Sequence, residues 1–422
     1  MFHYAWLIVF TGTIVLLLAQ GFARMSYSVI LPSMKEGLLL SYTQAGLIGT
    51  ANFVGYLSLA VIGGFLAVRF GARRTIFVSL IVMGICLFLT GLSNSFTAAF
   101  LTRLLTGLGN GGAVVPMMAL PAAWFATRKR GLAAGVMTIG TGVGLFIVGF
   151  VLPGFIERIG PDGWRYAWFL LGVVVFSLSF VCYAFLRDTP EDKATTMYGG
   201  EEEKRAVSGS GFFSAWVEVV KEPEIWKLGT VYFTFGFSYI IYMTFFVAYL
   251  TSEAAIPPQR AGEIFAVLGL ASILSGVLWG WISDLVGRRH GALLALLTLA
   301  LSYLVLAFGK SEPLIHISAI LFGAALSSIP AIMAAAVGDV MGGRLAPAAL
   351  GFVTLIFGIG QSFGPAVAGW MKDSTGTFAW AFILSAVVSA AGAGSAMMLR
   401  KKRAEGLAFN TKNTKEEVDL SV

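Results

Sequence analysis

The chain has 422 residues, of which 57% are hydrophobic and only 12% are charged, and its net charge is +7. Soluble domains carry about 25% charged residues, so this composition excludes an ordinary water-soluble fold and predicts an all-helical membrane protein. Two cysteines are too few for a disulfide framework, and the scattered basic residues form no patch typical of nucleic-acid binding.

Apolar runs long enough to cross a bilayer recur along the whole chain. A hydrocarbon core of about 30 Å requires about 20 apolar residues per helix. No Lys or Arg precedes the first run, unlike in a cleavable signal peptide, so we predict a retained first span. Twelve transmembrane helices are predicted, at 5–33, 44–68, 76–95, 97–119, 132–155, 164–186, 227–251, 261–284, 291–309, 314–338, 347–371 and 377–399.

One long polar segment divides this series into two groups of six. It carries a mixed-charge run at 201–205, which is typical of a linker. We therefore predict two pseudo-symmetric six-helix bundles, at 1–186 and 227–399, joined by a cytoplasmic linker at 187–226. A cytoplasmic tail at 400–422 opens with four basic residues.

The distribution of basic residues predicts the orientation. With the N-terminus inside, most of the 29 Lys and Arg residues lie in loops, linker and tail on that side. Both termini are thus expected to be cytoplasmic in a bacterial-type inner (plasma) membrane. Arg24 and Arg103 are exceptions, because they lie within spans.

Matching residues recur in the two halves at nearly equal separations, which is the plan of a parallel repeat. Gly21 and Tyr27 of span 1 recur as Gly236 and Tyr242 of span 7. After spans 2 and 8, the recurring residues are Gly64, Gly71 and Arg73 in the first half and Gly280, Gly287 and Arg289 in the second.

The loops after spans 2 and 8 resemble the signature of the major facilitator superfamily, Gly-x-x-x-Asp-Arg-x-Gly-Arg-Arg. They read GFLAVRFGARR at 64–74 and GWISDLVGRR at 280–289. The resemblance covers nearly the whole chain and is nearest to bacterial organic-anion and monocarboxylate carriers. It implies alternating access between two bundles, with a gating role for Gly64, Gly71, Arg73, Gly280, Asp284, Gly287, Arg288 and Arg289.

The first of these loops departs from the family pattern. In the family the acidic residue pairs with Arg and with helix dipoles and holds the outward-open state. Val68 stands at that position here, whereas the second loop keeps Asp284. We therefore expect Asp284, with Arg288 or Arg289, to carry this interaction alone.

Arg24, deep in span 1, is the leading candidate for substrate binding. A charge within a span is costly and usually functional. Gln20 and Tyr27 lie on the same helical face, and a guanidinium can bind a carboxylate with two hydrogen bonds. A structural Arg bonded to carbonyls of a broken helix is the alternative.

Further polar residues could line the same cavity or could bond helix to helix. Arg103, in a span 4 segment that resembles the family's second motif, has either a proton-coupling role or a structural one. The candidates for substrate contact are Asn52, Tyr56, Asn110, Tyr239, Tyr242 and Gln361.

The acidic residues limit the substrate. Spans 1 to 6 have no Asp or Glu in their interiors, whereas a drug–proton antiporter for cations needs a deep carboxylate. Because two arginines lie within the spans and no acidic residue lies deep among them, an anionic substrate is favoured. Glu263, near the outer end of span 8, is the best candidate for proton coupling, unless the proton travels with the substrate acid.

Glycines in two spans predict close helix packing. The Gly-rich segment 107–112 of span 4 matches a dinucleotide fingerprint but follows no strand, so we interpret it as a packing seam. Two further seams are predicted in span 5, at Gly131/Gly135 and at Gly140/Gly144.

These features predict a secondary active transporter rather than an enzyme, without cofactor or metal. It moves a small organic anion, such as a monocarboxylate in symport with protons, by a rocker-switch motion of a monomer in the bilayer. Two alternatives remain open. The 34 Phe residues would suit an efflux carrier for neutral or amphipathic compounds, and a non-transporting membrane receptor or scaffold is the other.

Overall fold

The computed structural model describes residues 3–200 and 212–400 of the chain. The described residues fold into helices, with no strand among them apart from one isolated bridge between Phe125 and Tyr198. The all-helical prediction is therefore confirmed. The charged run at 201–205 and the tail from residue 401 lie outside the described residues.

Helices occupy every predicted span, and each begins or ends within a few residues of the prediction. We number them α1 to α12 in chain order. Their bounds are Tyr4–Gly37, Tyr42–Phe70, Ala72–Gly91, Phe96–Ala119, Thr127–Ile159, Gly163–Phe185, Pro223–Ser252, Pro258–Val286 with a break, Arg288–Phe308, Glu312–Gly342, Ala348–Thr375 and Ala379–Ala396.

Ten of these helices are long and apolar enough to cross a membrane, as judged over the described residues. The number is eleven if α8 counts as one span, since its two parts, Pro258–Ser272 and Ser275–Val286, are bent by 43°. The 29-residue helix α2 is not among them. A multi-pass helical membrane protein follows, and the twelfth crossing stays a prediction.

Helix α1 is interrupted by a π-helical stretch, Leu17–Met25, which contains Arg24. A π-turn widens the helix and leaves backbone carbonyls without their usual partners. On one side of this stretch, a Cβ on Gly21 would lie only 2.6 Å from the Cα of Gly144 in α5. The sequence analysis predicted a continuous helix and did not find this irregularity.

Two of the predicted glycine seams are present. A Cβ on Gly107 of α4 would lie 2.0 Å from the backbone oxygen of Asn52 in α2. A Cβ on Gly140 of α5 would lie 2.0 Å from the backbone oxygen of Thr13 in α1. Only glycine permits such close backbone approach.

The seam predicted at Gly131 and Gly135 is wrong. A Cβ added to either residue would meet nothing within 4 Å among the described residues. The two glycines lie on one face of α5, but that face contacts no described helix, whereas Ala133 and Met137 nearby are fully buried.

The predicted outer ends of α2 and α11 are tightly packed against each other. Where α2 meets α11, a Cβ on Gly46 would lie 2.2 Å from the backbone oxygen of Pro365. Asp373 of α11 accepts hydrogen bonds from the backbone N–H groups of Tyr42 (3.0 Å) and Thr43 (2.7 Å) at the start of α2. A carboxylate is favourable at this position because a helix N-terminus carries partial positive charge.

The predicted cytoplasmic ends of α5, α8 and α11 are not packed in this way. A Cβ on Gly135 of α5, on Gly280 of α8 or on Gly351 of α11 would meet nothing within 4 Å of the described chain. Helices α2 and α11 therefore touch at their outer ends, whereas the inner-end glycines of α5, α8 and α11 face open space.

Replacing Gly107 with Ala should destabilise the protein, because the added methyl group would push α4 away from α2. Overpacking of this kind costs about 1–3 kcal/mol. The matched control is Gly131→Ala, which adds the same group in open space and gains up to about 1 kcal/mol of helix propensity. In thermal unfolding of the detergent-solubilised protein, the melting temperature of Gly107→Ala should be below that of the wild type, and that of Gly131→Ala should be equal to it or higher. Equal melting temperatures for the two variants would contradict the packing.

Candidate substrate-binding site

Arg24 lies at the centre of the molecule, with 6% of its surface exposed. Its Nη1 donates to Oε1 of Gln20 at 3.2 Å, one turn earlier in α1. Its Nη2 donates to Oε1 of Gln361 in α11, and the amide of Gln361 donates in turn to the hydroxyl of Tyr239 in α7. These three residues, the Arg24–Gln361–Tyr239 chain, link helices that are far apart in sequence.

Two aromatic rings of α2 lie against the guanidinium of Arg24. Its Cζ atom is 4.5 Å from the ring centroid of Phe53 and 4.8 Å from that of Tyr56. The face of an aromatic ring carries partial negative charge, so each contact stabilises the cation. The rings also exclude water, which strengthens any charge interaction made at this position.

No carboxylate of the described chain neutralises this guanidinium. Among the described residues, no Asp or Glu forms an ion pair with Arg24 or Arg103. The Nε of Arg24 is buried and has no hydrogen-bond partner in residues 3–200 and 212–400. A buried charge without a partner costs several kcal/mol, so the arrangement favours binding of an anion.

Arg103 is fully buried in α4 and bonds to the irregular part of α1. Its Nη1 donates to the backbone oxygen of Ala23 at 2.6 Å, and its Nη2 reaches that of Arg24 at 3.5 Å. The rings of Tyr27 and Trp168 lie 5.2 and 5.0 Å from its Cζ atom. These contacts hold the backbone that carries Arg24.

Asn52 and Asn110 make helix-to-helix contacts of the kind that the alternative interpretation described. The Asn110 amide donates to the backbone oxygen of Ala19 in the π-helical stretch. The Asn52 amide donates to the backbone oxygen of Arg103 at 3.0 Å. Both residues therefore position α1 and α4 rather than pointing all their polar atoms into a cavity.

The polar groups of three other candidates bond to partners other than Arg24. The Tyr27 hydroxyl donates to the backbone oxygen of Ala45 at 2.7 Å. The Tyr242 hydroxyl lies 2.9 Å from Oγ of Ser318, within a cluster of packed rings. Glu263 forms an ion pair with Arg260 at 2.7 Å on an exposed outer surface.

An aromatic cluster that the sequence analysis did not assemble lies beside Tyr239. The stacked rings of Tyr232 and Phe357 have their centroids 4.3 Å apart, and those of Phe235 and Tyr239 have theirs 4.7 Å apart. The spacing of 232, 235 and 239 along one helical face could have indicated it. Phe357 lies one turn before Gln361 in α11, so the cluster adjoins the Arg24–Gln361–Tyr239 chain.

The second signature loop forms the expected ion pair. Asp284 and Arg288 pair at 2.6 Å, and Arg288 also reaches Asp339 of α10 at 3.2 Å. Arg289 instead lies 3.4 Å from the sulfur of Met397. Gly287 adopts a φ of +86°, and the corresponding Gly71 adopts +87°, a conformation that favours glycine.

At the first signature loop, a carboxylate from a distant part of the sequence lies at the start of α3. Val68 is 89% exposed and makes no such contact. Oδ1 of Asp188, three residues after α6, accepts from the backbone N–H of Arg73 at 2.7 Å. The Arg73 side chain donates to the backbone oxygen of Tyr183 at 2.9 Å. Asp188 was missed because it is distant in sequence from the signature loop.

Comparison with known proteins identifies the family. The family model described as "Uncharacterised MFS-type transporter YbfB" matches residues 16–397, which is most of the chain. The chain belongs to this transporter family. Its relatives are transporters and not enzymes, so the transporter class predicted from the signature loops is confirmed.

Curated relatives of this transporter resemble it over most of their length. It is 23% identical over 394 residues to the "Probable sulfoacetate transporter SauU" of Cupriavidus necator, covering 88% of both chains. It is 24% identical over 378 residues to the "Hexuronate transporter" of Bacillus subtilis, covering 86% of this chain and 87% of the relative. Both names refer to organic anions.

A solved structure shares the fold of the transporter. A bacterial homologue of the human lysosomal transporter Spinster, in an inward-facing and unoccupied conformation, superposes with a TM-score of 0.75 at 17% identity. The match covers 95% of this chain and 99% of the homologue.

Replacing Asp188 with Ala should destabilise the start of α3, because the Arg73 N–H would lose its acceptor. Loss of such a helix cap costs about 0.5–2 kcal/mol. Thermal unfolding should show a lower melting temperature for Asp188→Ala. Val68→Ala is the control, since its exposed side chain makes no comparable contact, and a similar loss in both variants would refute the assignment.

Proposed function

We propose that this transporter is a secondary active carrier that moves a small organic anion, with monocarboxylates as the favoured class. It would span the inner membrane twelve times as two six-helix bundles, 1–186 and 227–399, with both termini in the cytoplasm. The linker at 187–226 and the tail from residue 400 would lie on the cytoplasmic side. The carrier would function as a monomer.

The uncompensated charge of Arg24 is the observation that carries this proposal. The guanidinium is buried and lies against two aromatic faces, and within the part of the chain that the structure describes it bonds only to neutral amide oxygens. A carboxylate could accept two parallel N–H bonds from it and remove the cost of the unpaired charge. The organic anions named for the relatives agree with this chemistry, since sulfoacetate and hexuronate both contain a carboxylate.

The Arg24–Gln361–Tyr239 chain suggests how binding is linked to movement. Arg24 belongs to the first proposed bundle, whereas Gln361 and Tyr239 belong to the second. A substrate carboxylate that bonds to Arg24 would displace the neutral amide of Gln361, because charge-assisted hydrogen bonds are stronger. It would then contact both bundles itself, and the interface between them would rearrange around it.

The packing of the helix ends corresponds to one state of an alternating-access cycle. Closed outer ends and separated inner ends are the pattern of an inward-open carrier. In the opposite state the contacts of Asp373 with the start of α2 would break. The inner ends, with their two signature loops, would then come together.

Proton coupling is part of the proposal and has two candidate routes. Glu263 lies at the outer rim and pairs with Arg260, which also pairs with Glu312 at 2.7 Å. A proton could instead enter with the substrate acid itself. Replacing Glu263 with Gln should abolish the pH dependence of uptake in the first case only.

Efflux of amphipathic compounds is a second candidate function. The stacked rings of Tyr232, Phe235, Tyr239 and Phe357 would suit an apolar body. The susceptibility of a deletion strain to amphipathic drugs separates the two functions, because an anion importer should leave it unchanged.

Replacing Arg24 with Gln should abolish uptake of carboxylates into proteoliposomes, because the binding cation is lost. Replacing it with Lys keeps the charge but loses the two-pronged geometry, so uptake should fall at least about tenfold. Initial rates of labelled acid uptake, normalised to reconstituted protein, measure both effects.

The matched control is Arg158→Gln, which makes the same chemical change at an exposed position in the last turn of α5. Uptake by this variant should equal that of the wild type. Unaltered uptake by Arg24→Gln would reject the assignment of Arg24.

A further inference from the structure

A small cavity lies between Arg24 and Arg103, on the side of Arg24 that faces the predicted outer ends of the helices. Its volume is about 10 Å³, which is roughly the space of one water molecule. Six polar residues line it, namely Arg24, Tyr27, Ser28, Asn52, Arg103 and Thr244, and two flexible methionines, Met25 and Met243, form part of the wall.

Four buried polar atoms at this cavity have no hydrogen-bond partner in the described chain. They are Nε of Arg24, Nε of Arg103, Oγ of Ser28 and Oδ1 of Asn52. The four residues are between 1% and 6% exposed. Buried polar atoms are nearly always bonded, and each unpaired one costs about 1–3 kcal/mol. One water molecule, which can accept two hydrogen bonds and donate two, would fill the cavity and satisfy all four atoms. A ligand head group that binds here must therefore replace the same set of hydrogen bonds.

The chemistry of these atoms defines the ligand. The two Nε–H groups can only donate, the Ser28 hydroxyl can donate or accept, and the Asn52 oxygen can only accept. An oxyanion satisfies the three donors but leaves the Asn52 oxygen unpaired. A ligand that also carries one O–H group beside its carboxylate satisfies all four.

We propose that this cavity is the head-group subsite of the carrier and selects small 2-hydroxy acids over the corresponding unsubstituted acids. The inference rests on the proposed anion transport and specifies its substrate. An ammonium group could also donate to Asn52, but no acidic residue lines the cavity to neutralise it, and two guanidinium groups would repel it.

The cavity as observed admits a head group only after it widens. Met25 and Met243 allow this without movement of the backbone, because an unbranched thioether side chain has several rotatable bonds. The Arg24–Gln361–Tyr239 chain opens when the carboxylate replaces the Gln361 amide, and this frees the guanidinium to turn toward the subsite.

Glycolate and acetate test the selection, since they differ by a single hydroxyl group. Wild-type protein in detergent should bind glycolate at least about tenfold more tightly than acetate, measured by titration with thermal-shift detection. A site built to bond a ligand hydroxyl discriminates strongly against the analogue that lacks it.

Replacing Ser28 with Ala tests the subsite itself. The Ser28 hydroxyl has no partner without ligand, so the ligand-free variant should melt at or above the wild-type temperature. Its affinity for glycolate should fall about tenfold. The matched control is Ser302→Ala in α9. The Oγ of Ser302 is also buried and without a partner in the described chain, but it lies outside the cavity. The Ser302→Ala variant should bind glycolate with wild-type affinity.

Equal affinity for glycolate and acetate, or an equal effect of the two Ser variants, would overturn the subsite. If neither probe binds while another carboxylate binds in an Arg24-dependent manner, the subsite is wrong and the proposed function stands. If no carboxylate binds at all, both proposals fail.

Discussion

A positive charge buried without a counter-charge is the constraint on which the centre of this transporter depends. The protein stabilises the guanidinium of Arg24 with amide oxygens and ring faces, and each of these is weaker than a carboxylate. The π-helical stretch of α1 presents this side chain to the centre, and Arg103 and Asn110 bond to the carbonyls of that stretch. Helix α4 thus holds the backbone that places Arg24.

In the proposed mechanism, the same charge would connect substrate binding with conformational change. Gln361 and Tyr239 reach Arg24 from helices of the second proposed bundle, so the hydrogen bonds that occupy the cation also join the two bundles. A ligand shifts a conformational equilibrium only by its difference in affinity for the two states. A carboxylate that replaced the amide bond between the proposed bundles would provide such a difference at the contact between them.

The sequence was sufficient to predict the helices and the residue at the centre. Long apolar runs have few alternatives in a membrane, because every backbone polar group must be bonded within its own segment. A lone arginine deep in such a run is costly enough to be conspicuous, and the structure places Tyr56, Tyr239 and Gln361 near it.

Features that depend on contacts between distant segments could not be predicted in this way. The π-helical stretch arises where Gly21 meets Gly144 and where α4 bonds to freed carbonyls, and no local pattern in α1 signals these contacts. Asp188 replaces the carboxylate missing at Val68 only because the end of α6 lies beside α3. Gly131 and Gly135 have the spacing of a seam but no helix against them, since the inner ends are separated.

Glycolate and glycolamide have nearly the same size and the same hydroxyl group, and they differ in charge. Isothermal titration of the purified wild-type transporter with each compound therefore measures how much the central cation contributes to recognition. A buried, unpaired guanidinium should bind glycolate with at least about a hundredfold higher affinity than glycolamide, because only the anion neutralises the charge. Equal affinity for the acid and its amide would contradict the role given to Arg24.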